Sequence, residues 1–402
     1  MRGRLGGTRY VYLLSPEANE LVFAHDDWFS VGEPMKAIAL VDGPASVVVS
    51  DGPDHARRRG VLRPALAPRA VAGYLDAVHL SAREALESLP AGTPVDAFPI
   101  FRTAIRRATL RALFGPAMAA DADLFGEELQ PLLHLVDLLP QAIDVHCRLG
   151  TPRWRRAQAA RGRLDDHVDR RINEAATADA RPREGVDMLD VLIHGREGVG
   201  PGLTHQEIRD QAITLVAAGF ATTSAAMGWA VHCLARHPQW QERARPEAEA
   251  LVTGPGDMDA VRALTVLPAI VRETLRLYPP ATISARRVER PFTVHGVNVY
   301  VGETVIFSPY VTHRDPRNHQ RPTAFDPDRW SDERPSPGTY IPWGGGAHRC
   351  LGSHLAETEL AVMLAHLVAT GPFRPAGRRP RATSFAAMRP SHASIVRSTK
   401  VS

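Results

Sequence analysis

One stretch of the chain combines residue types suited to holding a cofactor. In YIPWGGGAHRCLG, residues 340–352, three consecutive glycines precede a lone cysteine. Glycine lets the backbone approach a partner closely and adopt positive φ, so Gly344, Gly345 and Gly346 predict a flat partner lying against the loop. Cys350 directly precedes a helix-like apolar run, and a helix N-terminus stabilises a thiolate. The pattern indicates a metal ligand at Cys350.

A second pattern pairs charges along one helix face. In RETLRLYPP, Glu273 and Arg276 are three residues apart, which places them one turn apart where they can form an ion pair. Arg329 follows in FDPDRW. Pairs with this spacing are common on protein surfaces, so the pair gains meaning only from its position relative to the cysteine loop.

Taken in chain order, these stretches resemble the cytochrome P450 superfamily. The haem-binding loop of that family is matched by Trp343, Gly344, Gly346, His348, Cys350 and Gly352. Glu273 and Arg276 fit the family's E-x-x-R pair, and Arg329 fits the residue that joins it. AGFATT, residues 218–223, matches the oxygen-groove motif, and HARRR matches an H-x-x-x-R motif beside a haem propionate. The resemblance covers nearly the whole chain from about Val11.

The resemblance implies a role for each matched residue. Cys350 is expected to be the axial thiolate of haem b, with Glu273, Arg276 and Arg329 fixing the core behind its loop. The cofactor-binding set is expected to be His55, Arg59, Ala218, Arg286, Trp343, Gly344, His348, Cys350 and Gly352. Within that set, the resemblance implies that the cations face the propionates. On the oxygen side, the resemblance implies Thr222, Ala221 and Gly219, with the Thr222 hydroxyl bonding back along its helix.

Three features depart from the family pattern. Ala221 stands where the family usually has an acid, so proton delivery needs another route. Trp343 replaces the usual Phe, and its indole N–H is expected to donate toward the sulfur and tune the iron. Little sequence precedes RYVYLLSPEANE, so the family's first helix is expected to be missing, or the start of the chain misassigned.

The elements that must position these residues are mostly helices. Helical patterns dominate from about Val71 to His237. Thr204 and Glu207 form a capping box that opens a long helix ending at RHP, roughly 50 Å in length at 1.5 Å per residue. A second helix is predicted to start at Pro268 and to stop before YPP, and short strands follow in FTVHGVNVYVGETVIFSPY. We therefore expect a mainly α fold with a small β portion.

The whole chain, residues 1–402, is expected to form one P450 domain, with the haem lying between the long central helix and the cysteine loop. Its N-terminus carries neither a signal peptide nor a membrane span, so a cytoplasmic monomer is expected. Three scattered cysteines form no disulfide framework. The net charge is +4, but the arginines between His55 and Arg69 have no interleaved aromatics, which argues against nucleic-acid binding.

The function expected from the resemblance is a haem-thiolate monooxygenase that inserts one atom of O2 into a lipophilic molecule. No flavin or nicotinamide motif is present, so electrons must come from a partner such as a ferredoxin with its reductase. Arg57, Arg58 and Arg63 are expected to dock this partner. Apolar or small residues in segments 32–49, 215–220, 281–284 and 384–388 are expected to line the substrate site, which favours a fatty acid, terpene or steroid.

Two alternatives remain. Because Ala221 replaces the acid, the chain could bind haem without monooxygenase activity, or run peroxide-driven or other atypical chemistry. A zinc-binding structural protein could instead use His348, Cys350 and His354, although it would lack a second cysteine pair at zinc spacing.

Overall fold

The computed structural model describes residues 2–5, 8–177, 188–195, 202–332, 335–384 and 386–398. Helices predominate within these ranges. In chain order, α1 to α17 are Pro16–Ala24, Ala39–Asp42, Gly52–Leu62, Pro68–Ala72, Leu75–Glu87, Ala97–Ala120, Ala122–Val136, Pro140–Arg148, Pro152–Thr177, Met188–His194, His205–Arg236, Pro238–Thr253, Met258–Arg262, Val266–Leu277, Pro309–Thr312, Arg329–Asp332 and Ser353–Ala369.

The strands are short and form small sheets at the side of the helices. In chain order, β1 to β12 are Arg2–Leu5, Thr8–Tyr12, Phe29–Ser30, Val95–Asp96, Ser284–Val288, Phe292–Val294, Val297–Val299, Thr304–Phe307, Phe373–Pro375, Ala382–Thr383, Arg389–Pro390 and Ser394–Arg397. The largest sheet has the order β1-β2-β8-β5-β3, with β2 and β8 parallel and the other pairs antiparallel. The prediction of a mainly α fold with a small β portion is confirmed.

Helix α11 is the central element of the fold. It begins as the capping box predicts, because the Thr204 hydroxyl accepts from the Glu207 N–H while the Glu207 carboxylate accepts from the Thr204 N–H. It packs against α6, α17, α14 and α9. Its length and composition would suffice to cross a membrane, but 78% of its most apolar window is buried inside the protein. It is therefore the core helix on which the cavity is built.

The start of α14, the helix that carries Glu273, differs from the prediction. It begins at Val266 rather than at Pro268. The reason is a carboxylate from another helix, since Glu247 of α12 accepts from the N–H groups of Thr265, Val266 and Leu267 at 2.8, 3.1 and 2.6 Å. These N–H groups have no partner within their own helix, and a partner remote in sequence supplies one.

Helix α1 lies at Pro16–Ala24, within RYVYLLSPEANELVFAH and after the point where the family's first helix was expected to be missing. Ser15 caps it by accepting from the Ala18 N–H at 3.2 Å. This helix packs against the glycine loop and so forms part of the support for the site.

Candidate active site

A cavity of about 280 Å³ lies where α11, α3, β5 and the cysteine loop meet. Most of the site residues predicted from sequence line it together. They are His55, Arg59, Ala218, Gly219, Thr222, Arg286, Trp343, His348, Cys350 and Gly352. Ala221 and Gly344 are not among its lining residues. The motifs thus converge on one site, although they are spread over some three hundred residues of sequence.

Cys350 presents its sulfur to this cavity. Its backbone N–H donates to the Trp343 carbonyl at 2.9 Å, which closes the loop. Burial raises the pKa of the Cys350 thiol, even though a hydrogen bond from the Gly352 backbone lowers it. The first cause outweighs the second, because removing a charge from water costs more than one N–H donor returns.

The predicted cations and histidines cluster on one wall of the cavity. The rings of His55 and His348 stack with centroids 4.0 Å apart, and Arg59 donates to the Arg349 carbonyl at 2.6 Å. Burial, followed by the charges of His55, Arg286 and Arg59, lowers the pKa of His348 to about 3. The positive charge of this wall is therefore carried by Arg59 and Arg286, which favours an anionic ligand.

Arg286 provides the clearest test of whether an anionic cofactor fits. Its side chain is 9% exposed, and it donates to the Ser284 hydroxyl at 3.0 Å and to the Ala285 carbonyl at 2.9 Å. Within the described residues no carboxylate forms an ion pair with it, and burial lowers its pKa to about 10. A buried cation without an anionic partner is costly. The carboxylates of a haem would supply the anionic partner that Arg286 lacks. The Cys350 thiol is likewise a suitable ligand for haem iron.

The wall opposite this loop is formed by α11. Ala218 is exposed although its helix neighbours Ala217 and Phe220 are buried, because it faces the cavity. The Thr222 hydroxyl donates to the Ala218 carbonyl at 2.8 Å, the back-bond that the motif predicted. Thr222 therefore presents its side chain on the cavity face of the helix.

Gly219 serves a packing requirement that the motif did not reveal. A Cβ atom at this position would lie 2.9 Å from Cγ2 of Thr109, on α6. The Thr109 hydroxyl donates in turn to Glu359 of α17 at 3.2 Å. Gly219 thus marks the close crossing of α6 and α11.

No sequence motif singled out Glu359, which also lines the cavity. Its side chain is buried, and burial raises its pKa to about 8. Its place in the apolar stretch ETELAVML was the only sequence signal, since a carboxyl group in such a run is rarely buried without a partner.

The glycine loop packs differently from the prediction. A Cβ at Gly345 would lie 2.4 Å from the Phe23 ring, and one at Gly346 would lie 2.5 Å from the Phe23 carbonyl oxygen. These two glycines accommodate α1 rather than a flat ligand. Gly344 has φ of 64° and open space where a Cβ would stand, so the turn itself requires glycine there.

Trp343 also differs from its expected role. Its indole N–H donates to Oε1 of Glu357 at 3.1 Å, not toward the cysteine sulfur. The prediction that this N–H tunes the iron through the sulfur is therefore wrong, because a carboxylate on α17 is the stronger acceptor and lies within reach.

The predicted ion pairs among Glu273, Arg276 and Arg329 are present in the structure. Arg276 is fully buried and donates to both oxygens of Glu273 at 2.8 Å. Arg329 donates to the same carboxylate at 3.1 Å. Trp330 and the backbone N–H of Asp326 donate to it as well, at 3.1 and 2.8 Å. One carboxylate therefore joins α14 to the segment that leads into the cysteine loop.

Two of the three arginines expected to dock an electron donor form ion pairs within the protein. Arg57 and Arg58 both donate to the buried carboxylate of Glu207, the capping residue of α11. Their side chains are only 26% and 12% exposed. Docking of an electron donor through Arg57 and Arg58 therefore stays a prediction, while Arg63 is exposed, as is Arg349 beside the cysteine.

Two remaining expectations can be compared with the structure. Met35, Val47, Leu215 and Ser284 line the cavity, in agreement with three of the four predicted substrate segments. The fourth, 384–388, does not line the cavity in its described part, and Phe385 lies outside the described residues. Among the residues that are described, no cluster of three metal-ligating side chains occurs, which argues against the zinc site at His348, Cys350 and His354.

Comparison with known proteins identifies the family. The cytochrome P450 family matches residues 1–390. A putative cytochrome P450 139 of Mycobacterium tuberculosis is 42% identical over 395 residues, which covers 96% of this chain and 91% of the relative. Pentalenene oxygenase of Streptomyces avermitilis is 29% identical over 374 residues, covering 91% and 82%. The crystal structure of a cytochrome P450, CYP102L1, has a TM-score of 0.88 at 22% identity, covering 100% of this chain and 95% of that one.

The chain therefore belongs to the cytochrome P450 family. It is an oxidoreductase, and its family implies a haem whose iron carries a thiolate ligand.

Proposed function

We propose that this protein is a haem-thiolate monooxygenase that inserts one atom of O2 into a lipophilic small molecule. The observation that carries the proposal is the meeting of Cys350, the cationic wall and Thr222 at one cavity. Haem held by a thiolate supplies the O–O bond cleavage that this reaction requires. The protein supplies the binding, the orientation and the protons.

Each wall of the cavity has its own task in this proposal. Cys350 would hold the haem iron through its thiolate, with its backbone fixed by the bond to the Trp343 carbonyl. Arg59, Arg286, His55 and His348 would hold the haem carboxylates by charge-assisted hydrogen bonds, which are stronger than neutral ones. The fit is supported by the lack of a carboxylate partner for Arg286 in the described part of the chain.

The Thr222 hydroxyl is the proton-handling group on the opposite wall. Because it already donates to the Ala218 carbonyl, its oxygen lone pairs remain free to accept from a water or a substrate hydroxyl in the cavity. Ala221 lines no part of the cavity, so water must bring protons to Thr222 from another direction.

The substrate class follows from the rest of the lining. Val31, Met35, Val47 and Val48 contribute apolar surface on the substrate side, and Leu215 extends it along α11. Apolar walls with few polar groups favour a largely hydrocarbon ligand. A relative named pentalenene oxygenase supports a terpene in particular.

Electrons are proposed to come from an acidic ferredoxin with its reductase. Arg63 and Arg349 are exposed, and the Arg59 side chain donates to the Arg349 carbonyl. This pair replaces the docking surface expected from Arg57 and Arg58.

The decisive test is the visible spectrum of the reduced protein with carbon monoxide. The purified protein should contain haem and show the red-shifted band of thiolate ligation, and Cys350→Ser should abolish it. Cys147→Ser, at an exposed thiol, and Cys233→Ala, at a buried one, are matched controls that should leave the band unchanged. A band that survives in Cys350→Ser would refute the assignment.

A second candidate, peroxide-driven oxidation, is favoured by Ala221. Without the usual acid, proton supply limits the reaction with O2, and reducing equivalents are lost as peroxide. Ala221→Asp should then raise the fraction of electrons recovered in product, while the natural protein should work faster with added hydrogen peroxide. Tight coupling in the natural protein with a substrate that has no hydroxyl or ionisable group would exclude this candidate.

A further inference from the structure

The contact between Trp343 and Glu357 links the cysteine loop to the following helix. The indole N–H donates to Oε1 of Glu357 at 3.1 Å, while the Trp343 backbone carbonyl accepts from the Cys350 N–H at 2.9 Å. Trp343 packs against the main hydrophobic core and also lines the cavity. A single residue therefore holds the backbone of Cys350 on one side and a carboxylate on the other.

The charge of this carboxylate is not balanced by a cation at close range. Within the described ranges, no arginine, lysine or histidine forms an ion pair with Glu357. Its side chain is partly buried, where a charge is screened less than on the open surface. An indole N–H is a neutral donor, so the bond orients the carboxylate and offsets its charge only in part.

We propose that Glu357 is a positioning residue that fixes the Trp343 ring and places a negative charge beside the cysteine loop. The inference rests on the proposed function, because it requires haem held by Cys350. A fixed negative charge near a redox centre disfavours the addition of an electron. Glu357 therefore holds the reduction potential of the iron lower than Cys350 and its loop would alone.

The test compares two substitutions that separate charge from hydrogen bonding. Glu357→Gln keeps an acceptor oxygen for the indole and removes the charge, so the potential should rise. We expect about a tenfold shift in the one-electron equilibrium, equivalent to about 59 mV. Trp343→Phe keeps an aromatic ring and the charge but removes the N–H donor that partly offsets it, so the potential should fall.

Glu249→Gln is the matched control, since it removes the same charge from an exposed site on α12 and should leave the potential unchanged. Haem content, the carbon monoxide band and the unfolding midpoint are recorded for every variant. Unchanged potentials in both Glu357→Gln and Trp343→Phe, with the thiolate band intact, would overturn the inference. Absence of the thiolate band from the natural protein would instead refute the proposed function.

Discussion

Arg276 and Glu273 form a bidentate ion pair in which neither side chain is accessible to solvent. The two N–H···O distances are both 2.8 Å. Arg276 also donates to the carbonyl oxygens of His313, Pro322 and Ala324, at 2.8, 2.6 and 2.9 Å. The pair thus fixes the chain segment that approaches the cysteine loop, because the planar guanidinium group of Arg276 donates to several acceptors at once.

Loss of this pair should be severe. Arg276→Ala leaves the Glu273 charge buried with fewer donors, which costs roughly 3–5 kcal/mol, and haem should be lost or never incorporated. Arg276→Lys should fail nearly as badly, because a single ammonium cannot replace the fork. Unfolding by urea and the haem-to-protein ratio measure both effects.

The exposed pair of Arg243 and Asp328 is the natural control. It has similar distances, 2.8 and 2.9 Å, but both side chains are about half exposed. Arg243→Ala should therefore cost at most about 1 kcal/mol. Equal losses in Arg276→Ala and Arg243→Ala would contradict the structural role given to Arg276.

Because α6 and α11 cross closely at Gly219, a second substitution at Thr109 should rescue the stability lost by a substitution at Gly219. Gly219→Ala should destabilise the protein by about 1–3 kcal/mol through overpacking, since the new methyl group meets Cγ2 of Thr109. Thr109→Ser removes that methyl group and keeps the hydroxyl that donates to Glu359. The double variant should recover much of the stability, measured as a double-mutant cycle. Additive losses would show that the two residues do not clash.

The buried carboxyl of Glu359 predicts a pH-dependent gain in stability on substitution. Its pKa is raised from 4.5 to about 8 in the folded protein, so the folded state retains a proton that the unfolded state loses above pH 4.5. Stability therefore declines as pH rises through this window, at up to about 1.4 kcal/mol per unit.

Glu359→Gln removes this titration. Its stability relative to the natural protein should increase from about pH 5 to pH 8, as measured by urea unfolding at several pH values. Glu249→Gln, at the surface, should show no such trend. A difference between Glu359→Gln and the natural protein that stays constant with pH would mean that Glu359 titrates normally.

The docking surface can be tested by charge reversal. Reversing Arg63 and Arg349 to Glu should slow reduction by an acidic ferredoxin at low salt and flatten its salt dependence, because screening acts over about 8 Å at physiological ionic strength. Stopped-flow reduction measures the rate. Reversing Arg57 and Arg58 should instead destabilise the start of α11 through Glu207. If only this second pair alters the salt dependence, the docking surface proposed at Arg63 and Arg349 is wrong.

Several features could be predicted from the sequence because they depend on neighbours along the chain. The capping box of Thr204 and Glu207 requires only a three-residue spacing, and it gave the start of α11 correctly. The pairing of Glu273 with Arg276 follows from helical periodicity in the same way. The back-bond of Thr222 to Ala218 is likewise local. The order of the motifs along the chain then indicated the family, and the family resemblance predicted which residues meet at the cavity.

The other features depend on partners that are distant in sequence, and no local pattern predicts such partners. Glu247 starts α14 two residues early from another helix, and Glu207 engages Arg57 across 150 residues. Glu359 meets Thr109 across 250 residues. Whether a charged side chain is free, buried or paired depends on which helices pack against it, since burial and ion pairing arise only when distant surfaces leave water together. The sequence by itself therefore determined which chemical groups the site contains, and the tertiary structure decided which of them face the cavity and which support it.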